Sequence, residues 1–148
     1  MSAAAAAILF VWLGMVLAIS FLEAPLKFRA PGITIALGLG IGRLVFQALN
    51  IVEVLLAGAV VLAAVTTRIP GQLPLTAIGV AVAVLAVQLV LVRPRLRRRS
   101  DAVLTGQTAA PGGMRERSTA HYAYAGLEVV KVVALLTAAV ALQTSLAG

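Results

Sequence analysis

Arg43-Leu44-Val45-Phe46-Gln47-Ala48-Leu49-Asn50-Ile51-Val52-Glu53-Val54-Leu55-Leu56 is followed only by alanine, glycine, valine and leucine up to Thr66. A helix of about 20 mostly apolar residues crosses the hydrocarbon core of a bilayer, and this run is long enough to do so. Positions three, four or seven apart share a helix face. Arg43, Gln47, Asn50 and Glu53 therefore make one polar stripe, which stops about halfway along the run. A charge at the centre of a membrane helix costs roughly 2.5–3.5 kcal/mol on insertion scales, so such residues face a bundle interior or a water-filled cavity. This stretch implies an all-α, polytopic membrane protein with its polar groups turned inward.

The rest of the chain extends that reading to four transmembrane helices in a bundle. Of the 148 residues 61% are hydrophobic and only 11% charged, and the mean hydropathy is +1.06. That length is one domain, and the apolar excess calls for lipid as solvent. The first span is expected over about 3–22. It lacks a basic leader and runs straight into Glu23-Ala24-Pro25-Leu26-Lys27-Phe28-Arg29, so it reads as an uncleaved membrane helix. The stretch from Gly32 to Thr67 is too long for one simple span. With Gly38, Gly40, Gly42 and Arg43 in its first part, it is expected to form an interfacial or re-entrant piece over 33–41 and then a second span over 43–66. One long tilted helix is the alternative. Arg68 to Pro74 reads as a tight turn. The third span is expected over 75–92, a basic loop over 93–118, and the fourth span over 119–146.

Positive charge sets orientation. Arg93, Arg95, Arg97, Arg98, Arg99, Arg115 and Arg117 fall in the loop after the third span, and Lys27, Arg29 and Arg43 in the first connection; the middle turn has only Arg68. Both basic connections are therefore expected in the cytoplasm, with both termini outside and the protein in a cytoplasmic (inner) membrane. Arg95, Arg97, Arg98 and Arg99 follow an apolar span directly, which points to anionic lipid head groups rather than nucleic acid. A weak internal repeat aligns Glu53 with Glu128, and Ala24-Pro25-Leu26-Lys27 with Arg93-Pro94-Arg95-Leu96, as two similar helical hairpins would.

The fourth span carries a second stripe, His121, Tyr124, Glu128 and Lys131. Glu23 ends the first span and Gln88 lies one turn before the end of the third. All four helices thus offer polar groups at similar depth. Read as a site, Glu23, Glu53, Glu128 and His121 are the cation- or proton-binding candidates, since a carboxyl in low dielectric readily exchanges a proton. Lys131, Arg43 and Arg93 are their charge partners, and Gln47, Asn50, Gln88 and Tyr124 the polar lining. Read structurally, the groups satisfy one another: Glu128 with Lys131 at i, i+3, and Glu53 with Arg43 or Arg93.

No catalytic residue is expected. The chain has no cysteine, hence no disulfide or thiolate chemistry, and no G-x-S-x-G, Walker A or H-E-x-x-H motif. Gly38-Leu39-Gly40-Ile41-Gly42 follows no βα unit and reads as close helix packing or dimerisation. No metal site is expected, and no cofactor is specified. The first functional expectation is a transport or ion-handling protein with an inward-facing, carboxylate-lined cavity, working as a homo-oligomer or with a membrane-protein partner. The alternatives are a non-catalytic accessory subunit of a larger membrane complex, and a membrane redox or lipid-binding protein holding a haem, a quinone or a lipid head group.

Trp12-Leu13-Gly14, Phe21-Leu22-Glu23-Ala24-Pro25-Leu26-Lys27-Phe28 and Gly42-Arg43-Leu44-Val45-Phe46 resemble the first hairpin of the transmembrane-protein-205-like family. Pro25 to Phe28 matches its proline-x-x-phenylalanine element, and Gly42 to Phe46 its glycine- and phenylalanine-containing stretch. Pro94 with its arginines, and His121, are similar to the second hairpin. The resemblance implies a small four-helix membrane bundle of largely unknown function and supplies no catalytic residue. Glu53 and Glu128 lie outside its motifs.

Overall fold

The computed structural model describes residues 2–67, 69, 71–94 and 113–147. Within them the chain is helical and without strands, and four helices are long and apolar enough to cross a membrane. Helix α1 (Ser2–Val16) continues through a π-helical stretch (Leu17–Glu23) and Ala24–Leu26 to a 3-10 turn at Lys27–Arg29. Helix α2 spans Ile35–Thr67, and α3 spans Gln72–Val87 with a π-helical extension at Gln88–Val92. Helix α4 spans Gly113–Ala147. Helix α4 packs along both α1 and α3, and α1 packs on α2; the seam between α2 and α3 is thinner.

The distribution of side chains is that of a membrane bundle. Leu55 is 66% and Val65 76% exposed, whereas Glu53 and Lys131 are both fully buried. Apolar groups that face outward at this density belong in lipid, which offers no penalty for them. The half of the bundle holding the chain termini is closed by apolar packing. Leu9 and Val16 of α1, Val60 of α2, Ala81 and Leu85 of α3, and Leu135 and Leu142 of α4 form its core. Ile69 from the α2–α3 turn tucks in beside them. Alanines 5, 77, 134 and 138 let the backbones come close, which in lipid brings helices together through van der Waals contact.

Both π-helical stretches end two residues before a proline, at Glu23 before Pro25 and at Val92 before Pro94. The amide of Ala24 bonds the carbonyl of Ile19, and that of Arg93 the carbonyl of Gln88, each five residues back. A proline inside a helix removes a donor and its ring collides with the carbonyl four residues earlier. Widening the preceding turn moves that carbonyl aside, so the helix passes the proline without breaking. The same device therefore shapes the basic ends of α1 and α3.

Three expectations are corrected here. There is no separate interfacial or re-entrant piece over 33–41: α2 starts at Ile35 and passes through Gly38, Gly40, Gly42 and Arg43 unbroken. The glycines make room for a neighbour. A Cβ at Gly38 would collide with the ring of Phe28, and one at Gly42 would lie 2.7 Å from Lys27 Nζ. The end of α1 is laid over this face of α2, so the G-x-x-x-G spacing serves packing within the chain. The first helix accordingly outruns its expected end at residue 22 and reaches Arg29, where Gly32, at φ +78°, turns the chain. Helix α4 begins at Gly113, within the stretch expected as loop. The remainder of the 93–118 loop, from 95 to 112, lies outside the described residues.

Candidate functional site

Four helices converge on one ammonium group. Lys131 Nζ lies 2.6 Å from Glu53 Oε1, 2.8 Å from Gln88 Oε1 and 3.2 Å from Glu128 Oε1. An ammonium has three donors, and here each has an acceptor. Helix α2 supplies Glu53, α3 supplies Gln88, and α4 supplies Glu128 and Lys131 one turn apart. Helix α1 supplies Trp12, whose indole N–H donates to Glu53 Oε1 at 3.0 Å. Gln88 closes the ring by donating from Nε2 to Glu128 Oε1 at 3.0 Å. All five side chains are buried.

The knot is balanced in hydrogen bonds on one side only. Oε1 of each glutamate accepts two bonds, but Oε2 of both Glu53 and Glu128 is buried with no partner at normal hydrogen-bond geometry among the described residues, the hydroxyl of Tyr124 being a polar group beside Glu128. Two carboxylates on one ammonium leave one negative charge uncompensated. A buried group left without a partner is costly. Asn50 lies one turn before Glu53 on α2, is also buried, and leaves its Nδ2 unpartnered.

Next to the knot, at the basic end of the bundle, is a cavity of about 540 Å³. Glu128 belongs to both, as part of the knot and part of the cavity lining. Lys27, Arg43 and Arg93 supply cations to the lining, and Phe21, Phe28 and Phe46 supply aromatic surface. Tyr124 meets the ring of Phe46 edge to face, with centroids 5.9 Å apart and planes at 87°. Lys27 Nζ sits 5.5 Å from the centre of the Phe28 ring and 5.3 Å from that of Phe46. Such contacts stabilise a cation at partly desolvated sites. Arg93 donates to the backbone carbonyl of Phe46 and so ties α3 to α2 across their thin seam.

The expected site residues therefore divide into two groups. Glu53, Gln88, Glu128 and Lys131 meet in the knot, while Arg43, Gln47, Arg93 and Tyr124 line the cavity. Glu53 pairs with Lys131, and not with Arg43 of its own helix or with Arg93, the two partners expected for it. Glu23 is bound to Lys27 at 3.4 Å, and its side chain stays 30% exposed. The side chain of His121, and residues Arg95, Arg97, Arg98 and Arg99, lie outside the described residues.

Sequence reasoning missed Trp12 and Ser20. Trp12 carried a usable signal. Tryptophan settles at membrane interfaces, yet this one stands in mid-span on the same face as Leu9 and Val16, where a buried indole N–H needs an acceptor. Ser20 Oγ is buried and unpartnered, and the residue lines the cavity; a single serine in an apolar helix gave no comparable sign. Comparisons with protein-family models, with curated proteins and with solved structures find no match for this chain.

Proposed function

We propose that the protein is a small ion-handling or transport protein of a cytoplasmic membrane, in which protonation of the Glu53–Lys131–Glu128 knot is coupled to occupancy of the adjacent cavity. One observation carries this reading. Glu128 shares a single ammonium with Glu53 and also lines the cavity. A charge that enters the cavity acts on Glu128 through low dielectric, where Coulomb interactions are strong, and so biases where the proton of the knot resides. The basic end, with Lys27, Arg29, Arg43 and Arg93, faces the cytoplasm by the distribution of positive residues, and both termini face outside. The apolar half around Leu9, Val60 and Leu135 is the closed gate of an inward-facing state. Four spans enclose little volume, so the working unit is an oligomer.

Proton uptake into liposomes under an imposed potential, followed with an internal pH dye, tests the reading. Glu53→Gln and Glu128→Gln should each lower the rate at least tenfold while helical content and elution volume in detergent stay the same. Rates equal to those of the unaltered protein in both variants would remove the knot from the mechanism.

A second reading follows from the saturation of Lys131. A knot whose ammonium is fully bonded also serves to fix helix register in a non-catalytic accessory subunit. Stoichiometric co-purification of a larger membrane partner, with no flux from the isolated protein, would favour that reading.

A further inference from the structure

We propose that the cavity at the basic end binds an anionic head group carried on an apolar chain. This rests on the transport reading for what becomes of the ligand, but not for its binding. The lining joins two chemistries. Lys27, Arg43 and Arg93 converge on the lining from the ends of three helices; Lys27 is paired with Glu23, Arg93 bonds the carbonyl of Phe46, and the one carboxylate in the lining itself is Glu128. Phe21, Phe28 and Pro25 supply apolar wall beside them. Inorganic anions use the first feature and leave the second without purpose; a neutral apolar ligand does the reverse.

The buried atoms refine the head group. Ser20 Oγ and Glu128 Oε2 are buried, without partners at normal hydrogen-bond geometry, and belong to residues of the lining. The serine hydroxyl can donate to an anionic oxygen. The carboxylate oxygen can only accept while ionised, so it suits a hydroxyl or ammonium hydrogen on the same ligand. A phosphate or carboxylate that also carries such a donor satisfies all of these groups at once. The volume of about 540 Å³ lies within the usual range for small-molecule sites, about 300–1,000 Å³. It admits a head group with the first part of its chain. The absence of a side chain at Gly38 and Gly42 lets the ring of Phe28 and the ammonium of Lys27 lie against this helix, where they form part of the cavity wall.

The test is direct binding to the intact protein. Short-chain phosphatidylglycerol, short-chain phosphatidylcholine and inorganic phosphate are titrated separately into protein held in a neutral detergent, and binding is read by native mass spectrometry and calorimetry. Phosphatidylglycerol should bind at least tenfold more tightly than phosphatidylcholine. Lys27→Gln and Arg43→Gln should each reduce that preference about tenfold, and Gly38→Leu should abolish binding by displacing the Phe28 ring from the cavity wall. Ser20→Ala is the mild variant and should weaken binding severalfold. The emission of Trp12, the only tryptophan, reports whether each variant keeps its core. Arg97→Gln, Arg98→Gln and Arg99→Gln combined control for the basic run that follows Pro94.

Equal affinity for the two lipids would overturn the proposal. So would a preference lost only in that triple arginine variant, which would place the lipid outside the cavity. Inorganic phosphate that displaces phosphatidylglycerol at similar concentration would make the ligand a free anion and defeat the amphiphile assignment. Selective lipid binding without flux would leave this proposal standing and sink the transport reading; flux without lipid selectivity would do the opposite.

Discussion

Lys131 is the residue on which the interior depends. Its ammonium bonds Glu53, Gln88 and Glu128. Removing one partner of a buried ionic cluster leaves uncompensated charge, at a cost of about 3–5 kcal/mol, whereas replacing the whole set with groups of similar shape is often close to neutral. Lys131→Met should therefore lower thermal stability in detergent by about that amount. Adding Glu53→Gln and Glu128→Gln to the same variant should recover most of it. Recovery distinguishes an electrostatic role from simple packing, which further substitution would only damage. A thermal unfolding series on the single and triple variants reads this directly, and an unchanged midpoint in Lys131→Met would contradict the geometry.

At the scale of elements, the prolines and glycines at the basic end work together. Pro25 forces a π-helical turn through Leu17–Glu23, and that turn sets the angle at which Lys27 and Phe28 reach the glycine face of α2. π-Helical turns are rare and concentrate at functional sites; Ser20 and Phe21, both in the cavity lining, lie in this one. Pro25→Ala restores the missing donor and removes the ring, so Leu17–Glu23 should relax toward an ordinary α-helix. Amide hydrogen exchange across that stretch should then slow severalfold relative to the unaltered protein, with α4 unchanged as the internal reference. Exchange that stays the same would mean that packing, not the proline, holds the wide turn. The glycine run was legible as helix packing but not as one continuous helix, because a glycine cluster reads alike whether it loosens a helix or admits a neighbour's ring.

At the scale of the whole molecule, charge and hydropathy are segregated in two directions. Apolar side chains cover the outside and ionic ones the centre; along the axis, cations gather at one end and small apolar residues at the other. The chain has no cysteine, so single-cysteine accessibility maps its orientation without background. Gly71→Cys, in the turn between α2 and α3, should react with an impermeant maleimide added outside intact cells. Arg29→Cys, after α1, should react only once the membrane is opened. The reverse pattern would invert the proposed topology.

The sequence by itself determined the helical class, the four spans, and the polar depth shared by Glu53, Gln88, Glu128 and Lys131, because hydropathy and helical period are local properties that burial in lipid enforces strictly. Only the tertiary structure decided which of those groups touch. Glu53 finds Lys131 on α4 instead of an arginine on its own face; Glu23 is held by Lys27; and Trp12 enters the knot from α1. Each outcome depends on the rotation and neighbour order of whole helices. Those are set by many small packing contacts between Ala, Gly and Leu that look interchangeable along the chain and differ only once the helices meet.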